Sequence, residues 1–174
     1  SDVCSSDLGV LGAPVDELLG TPGLGRTSVA AIKTVEASQV LALESKISGT
    51  SVIANWQDLI DYCKLNIGAG PTEEFHVLYL NAKCRLIGDE THSVGTVNAA
   101  SVYPREILKR VLALGATSVI LVHNHPTGDT NPSKADIAIT EKIRDSLKTI
   151  DVSLHDHLIV TKGGYASLKM LGII

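Results

Sequence analysis

Two histidines two positions apart, His123 and His125, are followed by a turn rich in proline and glycine, then by Ser133 and Asp136. In extended backbone, side chains at i and i+2 point to the same side. His123 and His125 can therefore converge on one point while Asn124 turns away. Asp136 falls in the first turn of a helix that starts at Ser133. Two imidazoles and one carboxylate are the donor set of a catalytic zinc site that keeps a fourth tetrahedral position for water. On ligand type alone, a ferrous-iron site of two histidines and one carboxylate is equally open.

A plainer account exists for part of this stretch. Ser133-Lys134-Ala135-Asp136 is a variant of the N-terminal capping box, with aspartate in place of glutamate. A cap alone would explain both residues, but a capping serine can also hold the helix start that presents Asp136. H-x-H with an aspartate at this distance arises by chance about 0.01 times in a chain of this composition. HExxH is absent, and so is the H-x-E with a later P-C-x-x-C that zinc deaminases use.

The surrounding elements place these residues. "TSVILVH" is a continuous apolar run, as in a strand buried on both faces, and it ends at His123. The carboxyl end of such a strand is where open α/β sheets put their sites. "PREILKRVLALG" before it reads as a helix with Pro104 in its first turn and Gly115 as its cap. After Ser133, Ile139, Ile143, Leu147 and Ile150 form one apolar stripe. "FHVLYLN" and "CRLIGDETHS" read as a strand hairpin, "DVSLHDHLIVT" as a strand, and "YASLKM" as a short closing element. From residue 70 onward, strands and helices in this sequence predict an α/β layer structure. Upstream, "VDELLGTPGLGRTSVAAIKTVEASQVLALE" reads as helix, turn, helix around Gly23–Gly25. "KISGTSVIAN" reads as a linker, and "WQDLIDYCKLNIGAG" as a short helix ended by glycines.

The totals narrow the function. The chain has 174 residues, and its apolar share of 44% with a charged share of 20% is a globular balance. Aromatic residues make up 3%, too few for a base-stacking platform, and the net charge of −4 disfavours a protein built mainly to grip phosphate backbones. Cys4, Cys63 and Cys84 form no CxxC pair, so neither a ribbon-type zinc site nor a redox dithiol is signalled; scattered thiols fit a reducing cytoplasm. No apolar run reaches the roughly 18 residues of a membrane span. Asp156 and His157 read as a structural polar pair, with support of a metal-bound histidine as the alternative. His76, His92 and His155 have no partner that the sequence identifies.

The H-x-H, S, D spacing matches the JAMM signature of the JAB/MPN metalloprotease family at His123, His125, Ser133 and Asp136. "GTVNAASVYPREILKRVLALGATSVILVHNHPTGDTNPSKADIAIT" and "DHLIV" resemble the bacterial RadC family over residues 53–174. The resemblance implies a mixed β-sheet flanked by helices, of the JAB/MPN, cytidine-deaminase-like type, preceded by a small helical segment. It implies Zn2+ on His123, His125 and Asp136, and hydrolysis of peptide or isopeptide bonds in an unidentified peptide or protein substrate. Ser133 would donate to the oxyanion. It also implies an upstream glutamate as general base in a pattern like E-x-F-x-x-L. "EEFHVL" supplies Glu73, two residues before Phe75, with Glu74 as the fallback one register away.

"LLGTPGLGRTSVAAI" resembles the helix-hairpin-helix module of RadC proteins, which allows a second reading as a DNA-associated repair or recombination accessory with a non-catalytic metal. Such hairpins hold phosphates through backbone amides. Thr21 and Val29 depart from the pattern. Residues 9–50 carry three basic side chains (Arg26, Lys33, Lys46) against four acidic ones (Asp16, Glu17, Glu36, Glu44). The expected organisation is a non-native start over residues 1–8, since "SDVCSSDL" resembles a translated sequencing adaptor. A truncated hairpin segment over 9–45 follows, then a linker over 46–52 and the RadC-like domain over 53–174.

Overall fold

The computed structural model describes residues 10–95 and 102–174. The expected non-native start, Cys4, and part of the text carrying the resemblance (96–101) lie outside the described residues. The elements are α1 (Val15–Leu19), α2 (Arg26–Gly49), α3 (Trp56–Cys63) with a π-helical turn (Lys64–Gly68), β1 (Glu74–Leu80), β2 (Leu86–Val94), α4 (Pro104–Leu114), β3 (Ser118–Asn124), α5 (Lys134–Lys148), β4 (Ser153–Val160) and β5 (Tyr165–Ser167).

The five strands form one mixed sheet in the order β2-β1-β3-β4-β5. Only β3 and β4 are parallel; the other neighbours run antiparallel. A parallel neighbour needs a long crossover, and α5 supplies it. All seven residues of β3 are buried, which is why that strand reads as an unbroken apolar run.

The pleat divides the core in two. Leu78, Leu80, Ile120, Val122, Leu158 and Val160 face α2, α3 and the π-helical turn. Phe75, Val77, Tyr79, Val119 and Leu121 face α4 and α5 through Ile107, Val111, Ile139, Ile143 and Leu147. The result is a helix–sheet–helix sandwich. As the sequence predicts, α4 begins with its proline and ends at Gly115, whose φ of 64° is left-handed. A Cβ on Gly68 would lie 2.9 Å from the Thr161 carbonyl oxygen, so only glycine lets the π-helical turn approach the end of β4.

Two features differ from the sequence reading. The linker over 46–52 is helical as far as Gly49, and Ile47 and Val52 are fully buried in the core beneath the sheet. Its serine, threonine and glycine content signals a loop, but burial of Ile47 outweighs the weak propensity penalty. In β4, pairing steps from Val119↔Leu154 to Ile120↔Asp156 and leaves His155 as an extra residue. That bulge returns His157 to the face occupied by His123. The upstream hairpin packs on a small core of its own, Ala13, Leu18 and Val29, with Gly23 at φ 90° in the turn.

Candidate metal centre

The backbone of β3 stays extended beyond its last residue, because the His125 amide still donates to the Val160 carbonyl at 3.1 Å. His123 and His125 therefore fall on the same side. Their ring centroids are 4.5 Å apart and their planes meet at 71°. Asn124, fully buried, turns to the other side. Its Nδ2 donates to the carbonyls of Gly70 (3.3 Å) and Thr72 (2.9 Å), and its Oδ1 accepts from the Glu74 amide at 2.6 Å. All three bonds end on the segment leading into β1, so the residue between the two histidines also anchors the chain that carries Glu73.

Asp136 reaches the histidines from the first turn of α5. The complete capping box forms. Ser133 Oγ accepts from the Asp136 amide at 3.1 Å, and Asp136 Oδ2 accepts from the Ser133 amide at 2.7 Å. This cap fixes the carboxylate rather than competing with its use. Oδ1 lies 3.5 Å from His123 Nε2, and Oδ2 lies 3.7 Å from His125 Nε2. These separations are long for hydrogen bonds. One donor atom from each of the three residues lies within 4.8 Å of the others, close enough for all three to reach one cation.

Proton bookkeeping supports the same conclusion. His125 Nδ1 lies 2.6 Å from the Asp129 carbonyl. That oxygen can only accept, so Nδ1 carries a hydrogen and Nε2 is the nitrogen that faces Asp136. A longer relay fixes His123. The Thr140 hydroxyl donates to the Asp136 carbonyl and so accepts from His157 Nδ1 at 2.6 Å. His157 Nε2 is then the acceptor for His123 Nδ1 at 3.4 Å, leaving a lone pair on His123 Nε2. Burial pushes His123 down to about 4, the Asp136 and Glu73 charges opposing it, and burial also holds His157 well below its ordinary value. Both rings are neutral at physiological pH. The His123 lone pair, His125 Nε2 and the Asp136 carboxylate thus converge, an arrangement that a cation completes. Among the described residues, His123, His125 and Asp136 are the group able to hold a metal ion.

His157 is the residue that the sequence undervalues. The pair read there as structural is split by the pleat: Asp156 accepts from Ser167 Oγ at 2.6 Å on one face, while His157 backs His123 on the other. Phe75 stacks on His123, with centroids 6.1 Å apart, and meets His157 edge-on at 5.6 Å. These offset ring contacts close the inner wall. Thr140→Val keeps the volume but removes the acceptor for His157. It should lower metal affinity about 10–100-fold in a chelator competition. Unchanged affinity with reduced stability would make the relay purely structural.

The two adjacent glutamates separate clearly. Glu74 Oε2 lies 2.9 Å from His76 Nε2, on the face away from the metal cluster; His76 Nδ1 meets Asp89 at 3.0 Å, and Asp89 accepts from Tyr62 Oη at 2.6 Å. Burial pulls His76 down, but its bonds to Asp89 and Glu74 outweigh that, and it sits above its ordinary value. Glu73 immediately precedes β1, with its carbonyl accepting from the Gly95 amide at 2.9 Å. It shares the parity of Phe75, which pairs directly with His123, and its charge acts on His123. His92 and His155 also have partners that the sequence hides: Tyr79 Oη at 2.7 Å from His92, and the Trp56 ring beside His155.

Residues 53–173 match the family described as the RadC-like JAB domain. The chain belongs to that family. It is 43% identical over 173 residues to a UPF0758 protein of Rhodobacter capsulatus, covering 99% of this chain and 81% of the relative. It is 41% identical over 165 residues to a UPF0758 protein of Ruegeria pomeroyi, covering 95% of this chain and 74% of the relative. The mixed sheet between helices and the His123, His125, Asp136 cluster fit a JAB domain. No helix among the described residues is long and apolar enough to cross a membrane.

Proposed function

We propose that this RadC-family chain is a zinc-dependent hydrolase of peptide or isopeptide bonds in the cytoplasm. The observation that carries the reading is the convergence of two imidazole Nε2 atoms and a capped carboxylate beside the charge of Glu73. His123, His125 and Asp136 would hold the ion. When bound, zinc supplies Lewis acidity and makes water a nucleophile near neutral pH.

The chain's own residues do the rest. Glu73 takes the proton of the attacking water and delivers it to the leaving amine. Ser133 accepts the Asp136 amide with one lone pair and keeps its hydroxyl hydrogen. It donates that hydrogen to the carbonyl oxygen as charge develops there. Asn124 keeps the Glu73 segment in register with the histidines. Phe75 and the buried His157 exclude water from behind the site.

The test is hydrolysis of a quenched-fluorescent peptide set and of a lysine-linked isopeptide set by chelator-stripped protein, before and after addition of zinc. Turnover that appears with zinc and is absent in His123→Ala supports the reading; no turnover of either set by zinc-loaded wild type overturns it. The DNA-associated reading draws less support. Two of the three basic residues of the upstream segment are paired with carboxylates: Lys33 with Glu36 at 2.6 Å and Lys46 with Asp58 at 3.8 Å.

A further inference from the structure

Beside the metal cluster lies a cleft of about 400 Å³, which the cluster reaches through His125. Three turns enclose it: the approach to β1 (68–70), the turn after β3 (126–130), and the turn between β4 and β5 (161–164). His125 belongs to both places, with its Nε2 toward Asp136 and its ring on the cleft wall. The volume lies within the roughly 300–1,000 Å³ typical of ligand sites.

Backbone geometry explains some of the cleft's glycines and not others. Gly68 is required by its approach to Thr161, and Gly128 by its φ of 85°. Gly163 and Gly164 need neither. Both have φ outside the left-handed region; a Cβ on Gly163 would meet nothing within 4 Å, and one on Gly164 only the Thr130 methyl at 3.8 Å. The fold would admit a side chain at either position, and both positions line the cleft. Beside them stands Lys162, exposed, paired with no carboxylate among the described residues, and the one fixed charge among the residues described as lining the cleft.

We propose that this cleft binds an extended acidic peptide segment. The backbone of its small residues lies over Gly163 and Gly164, an aspartate or glutamate side chain faces Lys162, and the scissile bond reaches the metal past His125. The inference names the substrate class for the hydrolase reading above and rests on that reading for its purpose. The chemistry is that of a glycine-rich wall at 163–164, which favours backbone approach, joined to an ammonium that selects carboxylates.

The experiment is an NMR titration of the zinc-loaded chain with two probes, acetyl-Ala-Asp-Gly-Asp-Ala-amide and its lysine counterpart. The expected result is shifts at the Gly128, Gly163 and Gly164 amides with the acidic probe, at least about tenfold weaker binding of the lysine probe, and a reversed preference in Lys162→Glu. Gly163→Leu should lose both probes while holding the same zinc. Equal binding of the two probes, binding of neither, or indifference to Lys162→Glu overturns the proposal. The two readings fail separately. Acidic-probe binding without hydrolysis of any peptide sinks the hydrolase and keeps the cleft. Hydrolysis indifferent to both variants sinks the cleft and keeps the hydrolase.

Discussion

Glu73→Gln should lower kcat by about 10³-fold with KM nearly unchanged, because a general base contributes about 10²–10⁴ and acts only in the transition state. Zinc affinity should stay within about threefold of wild type, since Glu73 is not among the three converging donors. The matched control is Glu74→Gln. Its carboxylate faces His76 on the opposite side of β1, so turnover should remain within about threefold. Steady-state kinetics on the two proteins read the difference. Equal losses in both would mean that the pleat does not decide which glutamate serves the site, and equal retention would remove Glu73 from the chemistry.

Asp136→Asn separates two functions of one side chain. Asparagine can still accept the Ser133 amide, so the cap survives. Loss of charge at the helix N-terminus costs about 0.3–1 kcal/mol, and relief of repulsion against the His123 lone pair offsets part of it. Chelated protein should therefore unfold within about 1 kcal/mol of wild type. Metal affinity should fall by more than the roughly 10–100-fold that loss of an outer partner costs, because the anionic donor itself is gone. Ser133→Ala gives the converse: about 1 kcal/mol of helix stability lost with the cap, metal retained, and turnover reduced about 10²–10³-fold. Chelator competition and urea unfolding of the same two variants distinguish cap from ligand.

What the sequence made legible follows from which contacts are local. The H-x-H pair declares itself because strand alternation is local. Asp136 does so because the capping box lies within one helical turn. β3 is readable as a buried central strand from seven consecutive residues. The role of His157 is not readable. It depends on a bulge at His155, which shifts the β3–β4 register by one residue and turns His157 toward His123, thirty-four positions away. Asn124 is similar: its side chain bonds carbonyls more than fifty residues earlier in the chain. His76 looks isolated until the hairpin brings Asp89, opposite Leu78, diagonally to within 3.0 Å of it. The linker reading at 46–52 failed for the same kind of reason, since burial of Ile47 is a tertiary contact that composition does not report.

The most direct test of the metal centre is X-ray absorption at the zinc edge on stoichiometrically loaded protein, paired with metal content of the His123→Ala and His125→Ala variants. The account predicts one zinc per chain, a first shell of nitrogen and oxygen at about 2.0–2.2 Å with no sulfur, and loss of the ion in both variants. Sulfur in the first shell, or full zinc content after either histidine is removed, would contradict it.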